Sequence, residues 1–186
     1  MVILFIHVAN FLSVGIGWRF DSVQSLAISF CPIRPTIGVR SFMDTPKSLY
    51  SKKVLNIRNL KDDFCFLWCI LGHIHRVDKH GHDLYYYRKY FNELNITGLN
   101  FPLKFSDTPK FEILNPTISV NVLVYEYNEV FTLYASKYRD RNHHVNLPMI
   151  LNNEGKFHYL LVRDLSSLVH GRNKHDGYTN VCPYCL

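Results

Sequence analysis

The chain has 186 residues, 47% hydrophobic and 15% aromatic, enough for one ordinary domain with a core and too apolar for a disordered or collagen-like chain. Twenty-one basic against fifteen acidic residues leave a net charge of +6. That allows a polyanionic partner but excludes the charge density of a basic DNA-binding arm. Five unevenly spaced cysteines, at 31, 65, 69, 182 and 185, argue against a disulfide framework and predict a reducing intracellular compartment, nuclear or cytoplasmic.

Residues 1–17 read MVILFIHVANFLSVGIG. The stretch has no basic residue ahead of its apolar run and no small-x-small cleavage site. It is interrupted by His7 and Asn10 and falls short of the roughly 20 residues that cross a bilayer. It is expected to be a β-prone leader rather than a secretory signal, with no membrane partner. Pro32, Pro35 and Pro46 among Gly38, Ser41 and Ser48 disfavour long helices, so 1–55 is expected to be a leader plus an irregular segment. The domain proper is expected over 56–168, with a basic tail over 169–186.

Asp62-Asp63 are candidate N-cap residues for a helix through Leu71. Phe64, Phe66, Trp68, Ile70 and Leu71 wrap most of its wheel, which predicts burial on most sides. A polar stretch over 73–82 precedes a second expected helix at 84–91. Strands are expected at 118–125, 130–134, 145–150 and 157–162, from their β-prone composition and alternation, with hairpin turns at Asn128-Glu129 and at 152–155. Helices first and strands second predict an α+β domain with an antiparallel sheet.

Cys65 falls in the first turn of the expected helix, where the helix dipole favours thiolate and predicts a pKa below the roughly 8.5 of a free cysteine. Backbone N–H groups around Asp62 to Cys65 are candidates for holding an oxyanion. His158, at the start of a strand, is the candidate base. A hairpin centred on Asn153 would set Asn146 opposite Leu160 and diagonal to His158, able to orient the imidazole. Asp164 is the alternative third member, reachable only if the chain turns sharply. The competing reading makes Cys65 a small buried hydrophobe and His158 an edge-strand residue. Cys69, one turn deeper, reads as packing. Arg76, Lys79 and Gly81 mark the His73-x-His75 and His80-x-His82 pairs as a solvated loop rather than a metal site. The Tyr85 to Tyr90 run reads as an amphipathic helix more than as a base-stacking platform. No cofactor is implied for catalysis.

The pattern Asp62-x-x-Cys65-Phe66, followed by a β-rich half ending in His158-Tyr159, resembles ovarian-tumour-type (OTU-like) papain-like cysteine peptidases. There Asp-x-x-Cys opens the central helix and His-Tyr begins a strand. A wider resemblance is carried by Gly15-Ile16-Gly17-Trp18-Arg19-Phe20, Leu55-Asn56-Ile57-Arg58-Asn59, Asp63-Phe64-Cys65-Phe66-Leu67-Trp68 and Gly98-Leu99-Asn100-Phe101-Pro102. Ile118-Ser119-Val120-Asn121-Val122 and the run from His158 to Ser166 extend it. Together these stretches are similar to the region ahead of the protein-primed family-B DNA polymerase of Polinton (Maverick) type transposons; the polymerase itself is absent.

The resemblance implies a papain-like fold, with the cysteine on a central helix and the histidine on the sheet. It also implies thiol hydrolysis of a peptide or isopeptide bond, with a peptide or ubiquitin-like substrate. Relatives of the peptidase type place Asn or Asp two residues after the histidine, where this chain has Leu160. Cys182-Pro183-Tyr184-Cys185 resembles the knuckle that begins a zinc finger in the transposon relatives. Two thiolates do not close a tetrahedral site, so zinc there is expected to bind weakly or between molecules. The alternative function is a non-catalytic accessory module of a mobile-element replication protein, binding DNA or the polymerase, or a decayed remnant of one. The chain is expected to be a monomer.

Overall fold

Runs of β-branched and aromatic residues after Thr117 build a mixed sheet, and the apolar run over 64–71 builds the longest helix among the described residues. The computed structural model describes residues 42–126 and 129–169; the apolar leader, Cys31 and the Cys182/Cys185 knuckle lie outside the described residues. In chain order come β1 (Val54–Leu55), α1 (Cys65–Ile74), α2 (Thr108–Leu114), β2 (Ile118–Glu126), β3 (Glu129–Tyr134) and β4 (His143–Leu151). β5 (Phe157–Tyr159), β6 (Leu161–Val162) and α3 (Leu165–Val169) follow. The four-stranded sheet has the order β3-β2-β4-β5, and β1 pairs with β6 in a separate two-stranded sheet.

The mixed α and β composition agrees with the sequence, but the wholly antiparallel sheet is corrected. β2–β3 and β4–β5 are hairpins, whereas β4 lies parallel to β2 from Ile118↔His143 to Val124↔Met149. Alternation fixes which side chains share a face, not which strand lies beside which. The segment 135–142 carries the chain back past β2 and is pinned there. Ser136 N–H donates to Asn121 Oδ1 at 2.9 Å, and Arg141 donates to the carbonyls of Glu112 (2.7 Å) and Ile118 (2.5 Å).

The helix at Cys65 forms as expected, but Asp62-Asp63 do not occupy its N-cap position, which is Phe64 without a side-chain cap bond. Asp62 acts from two residues further back. Its Oδ1 accepts Phe64 N–H at 3.0 Å, Trp68 Nε1–H at 2.9 Å and the Asn59 amide at 3.1 Å. The expected helix at 84–91 resolves into two 3-10 turns, Leu84–Tyr86 and Arg88–Glu93. Three-residue bonds such as Tyr87 N→Leu84 O and Tyr90 N→Tyr87 O replace the α ladder. Tyr87 is buried and Tyr85 is 81% exposed. α2 was not anticipated, although Pro109 after Asp107-Thr108 is a helix-start signal.

The register sets Val120, Val122, Val145, Leu147, Met149 and Tyr159 on one face of the sheet. Phe66 joins that face to both helices, with ring centroids 5.3 Å from Tyr159 and 5.0 Å from Phe111. On the other face Leu123, Ile150 and Leu160 pack with Leu49, Val162 and Leu168, and Met43 and Val54 lean on the same cluster. The folded unit thus takes in residues that the sequence reading assigned to the irregular segment before Asn56.

Candidate active site

β5 is an edge strand. Leu160 N–H bonds back to Pro148 O at 2.8 Å, so the preceding Tyr159 turns its own N–H and C=O away from β4. The start of α1 lies along this open edge. The Cys69 thiol donates to Tyr159 O at 3.4 Å, and the Tyr159 and Phe66 backbone N–H groups point at Cys65 Sγ. Two thiols one helical turn apart thus occupy the backbone groups of a single edge residue. This answers the edge-strand problem without a further strand.

His158 is the residue before, and its side chain is 1% exposed. Its Nε2 lies 2.9 Å from Asn56 Oδ1. The Asn56 amide nitrogen is spent on Met43 O (2.8 Å) and Thr45 Oγ1 (3.1 Å), which turns the amide oxygen toward the ring. Oδ1 can only accept, so Nε2 carries the proton and Nδ1 is left with a lone pair. That Nδ1 is buried without a hydrogen-bond partner. Burial lowers the His158 pKa from 6.5 to about 4, so the ring is neutral at pH 7. Phe42 packs edge-on against it at 5.5 Å.

The expected low pKa of Cys65 is corrected. Burial pushes the thiol up from 9.0 to about 11, and the Asp62 and Asp63 carboxylates act in the same direction against the two backbone donors. A helix dipole contributes about 0.3–1 kcal/mol at an exposed site, too little to offset desolvation of a thiolate that is 6% exposed. Cys69 is likewise pushed well up by burial and by Cys65.

Cys65 thus lies against the backbone of Tyr159, while the side chain of His158, one residue earlier, shares the strand face of Ile150 and bonds Asn56. Asn146 does not join them. The β4–β5 register pairs Ile150 with His158, two residues off the hairpin expected from sequence, and Asn146 Oδ1 instead accepts from Asn121 Nδ2 at 3.0 Å. Asp164 is also committed elsewhere. Lys53 Nζ at 2.9 Å and Ser167 Oγ at 2.8 Å hold its carboxyl down at about 2. Asp62 has taken the Phe64 N–H, which removes that donor from any oxyanion site.

Sequence reasoning missed Asn56, which stands 102 residues from His158. It reaches the ring because β1, just before it, pairs with β6, just after His158: Val54↔Val162 and Leu55↔Leu161. A two-residue strand carries no periodicity to find. Of the histidines set aside as a loop, His75 stacks on Tyr90 at 3.5 Å and meets Glu93 at 2.6 Å. His80, His82 and Asp83 bring one ligand atom each to within 4.8 Å of one another, a donor set that suits a divalent transition metal. No helix among the described residues is long and apolar enough to cross a membrane. No protein-family model, curated protein or solved structure matches the chain.

Proposed function

We propose that the chain is a thiol hydrolase of peptide or isopeptide bonds, with Cys65 as nucleophile, His158 as base, and Asn56 in the orienting role first given to Asn146. The observation that carries this reading is the His158 ring. One nitrogen is fixed as a donor to Asn56 Oδ1, and the other is a buried lone pair with no partner. A buried acceptor without a bond costs about 1–3 kcal/mol, a cost more readily understood at a reacting group than in packing. The Asp62-x-x-Cys65 and His158-Tyr159 patterns support a papain-like, OTU-like variant of this chemistry in a transposon-type protein.

Both groups are neutral at rest, so the thiol proton moves to His158 Nδ1 as Sγ attacks the carbonyl carbon. Nδ1 then hands that proton to the leaving amine as the C–N bond breaks and the thioester remains. Water adds to the thioester, gives its proton to Nδ1, and Sγ leaves as the acid forms and recovers the proton. With Cys65 6% and His158 1% exposed, a substrate carbonyl reaches Sγ only in an opened state.

The same burial favours a second reading, an accessory module in which the two residues are core. A carbonyl-electrophile activity probe separates the two. The hydrolase reading predicts an adduct on Cys65 well ahead of Cys69, lost in Cys65→Ala and strongly slowed in His158→Ala and Asn56→Ala. Equal labelling of both cysteines, together with DNA retention that falls steeply with salt, would favour the module.

A further inference from the structure

The last turn of α1 opens on a cleft of about 280 Å³, lined by Gly72 and His73 from the helix, Arg76 two residues past its end, His144 and Asn146 from β4, and Arg163 after β6. Its floor is supported by polar residues buried within the sheet. Ser119 is 0% and Asn121 2% exposed, in a strand whose other residues up to Val124 are Ile, Val and Leu. Buried polar groups of this kind are costly unless every one is paired, and here the pairing can be followed around the whole network.

Ser136 N–H donates to Asn121 Oδ1 at 2.9 Å, which fixes the amide. Asn121 Nδ2 then faces His144 Nε2 and Asn146 Oδ1, each at 3.0 Å. His144 Nε2 must accept, so its proton sits on Nδ1 and is donated to Ser119 Oγ at 2.7 Å, while the Ser119 hydroxyl donates to His143 O at 3.3 Å. With the Asn146 oxygen held by Asn121, its NH2 group is the end left for the cleft. The network thus fixes one amide donor at the cleft wall.

Two guanidinium groups stand beside that donor. Arg76 spends Nε on Asp78, and Arg163 spends donors on Val77 O and on the Tyr87 hydroxyl. Each guanidinium has five N–H donors, so both keep others. Among the described residues no carboxylate lines the cleft; Asp164, in the adjoining hollow, is paired with Lys53.

We propose that this cleft binds the phosphate group of a small phosphomonoester. Donors converge from Arg76, Arg163, Asn146 and His73, more than the two oxygens of a carboxylate can use and well matched to the three terminal oxygens of a phosphate. The apolar side chains of Leu161, Val162 and Leu165 on the remaining wall suit the organic part of the ester. The site lies about 12 Å along α1 from Cys65, at 1.5 Å per residue, and does not rest on the thiol chemistry.

Inorganic phosphate, titrated into the full chain in a phosphate-free buffer and followed by calorimetry and by the Asn146 side-chain NH2 resonances, tests the proposal. Wild type should bind saturably and Arg76→Met should weaken binding roughly tenfold. Asn146→Asp keeps the acceptor for Asn121 but replaces the donor with a negative charge, and should abolish binding. Lys89→Met, on the remote 3-10 turn, should bind as wild type. Circular dichroism checks that each variant is folded; if Asn146→Asp is not, Arg76→Met still decides. Wild-type affinity in Arg76→Met, no saturation in wild type, or acetate binding as tightly as phosphate would overturn the proposal.

Discussion

At its first turn α1 presents Cys65, sealed against the Tyr159 backbone with its thiol raised to about 11; at its other end His73, and Arg76 just past the last turn, face an open polar cleft. Of the two ends, only the second is electropositive. The N-terminal end of a helix is the one that attracts negative charge, and here that end is crowded by Asp62 and Asp63 and closed to water. The lesson is that partial charges of the backbone decide little where burial and full charges oppose them. The thiol end suits chemistry that begins from neutral groups. The arginine end suits charge recognition.

The contrast can be broken most severely at the sealed end. Tyr159→Ala removes the ring that packs on Phe66 and Phe157 and the hydroxyl that donates to Leu103 O at 3.0 Å. It should cost about 3–5 kcal/mol in urea unfolding. Acid should weaken the same end next. Folded His158 titrates near 4 against 6.5 when unfolded, so below pH 6.5 the unfolded chain binds the proton first. Its contribution is intact above 6.5, declines as pH falls, and is lost by pH 4, about 3 kcal/mol in all. Urea midpoints measured across that range should show the decline, and His158→Gln should flatten it.

Between the two ends, Gly72→Ala should cost about 1–2 kcal/mol. The new Cβ would lie 2.8 Å from Ile57 Cδ1 and 3.4 Å from Leu161 Cδ2, side-chain atoms that can shift. The open end should be the most tolerant. Arg76→Met breaks only an exposed pair with Asp78 at 3.2 Å and should change stability by less than about 0.5 kcal/mol, measured the same way.

Much of this contrast was legible in the sequence, and the part that was not has a definite cause. The Cys65 helix and the four strands after Thr117 carry strong local patterns; the helix runs three residues past its expected end at Leu71, and the strands lie within two residues of their expected spans, although β5 and β6 split the last one at Leu160. Strand order and register are non-local, so the parallel β2–β4 pair and the two-residue shift that removes Asn146 could not be seen. Asn56 was invisible for the same reason: its approach to His158 depends on a strand pair two residues long. The polar cleft had its clue in Ser119, Asn121, His144 and Asn146, polar residues at every second position of two β-prone runs. Alternation alone does not tell a solvated face from a buried one, and only the pairing of β2 with β4 joins them into one network.

The most direct measurement is the protonation of the His158 ring, followed by its imidazole 15N shifts between pH 4 and 8. The tautomer fixed by Asn56 predicts a proton on Nε2 and a bare Nδ1 throughout pH 5 to 8, with titration beginning only near 4. A ring that titrates near 6.5 would contradict its burial, and one that carries its proton on Nδ1 would contradict the tautomer and leave no lone pair there to offer Cys65.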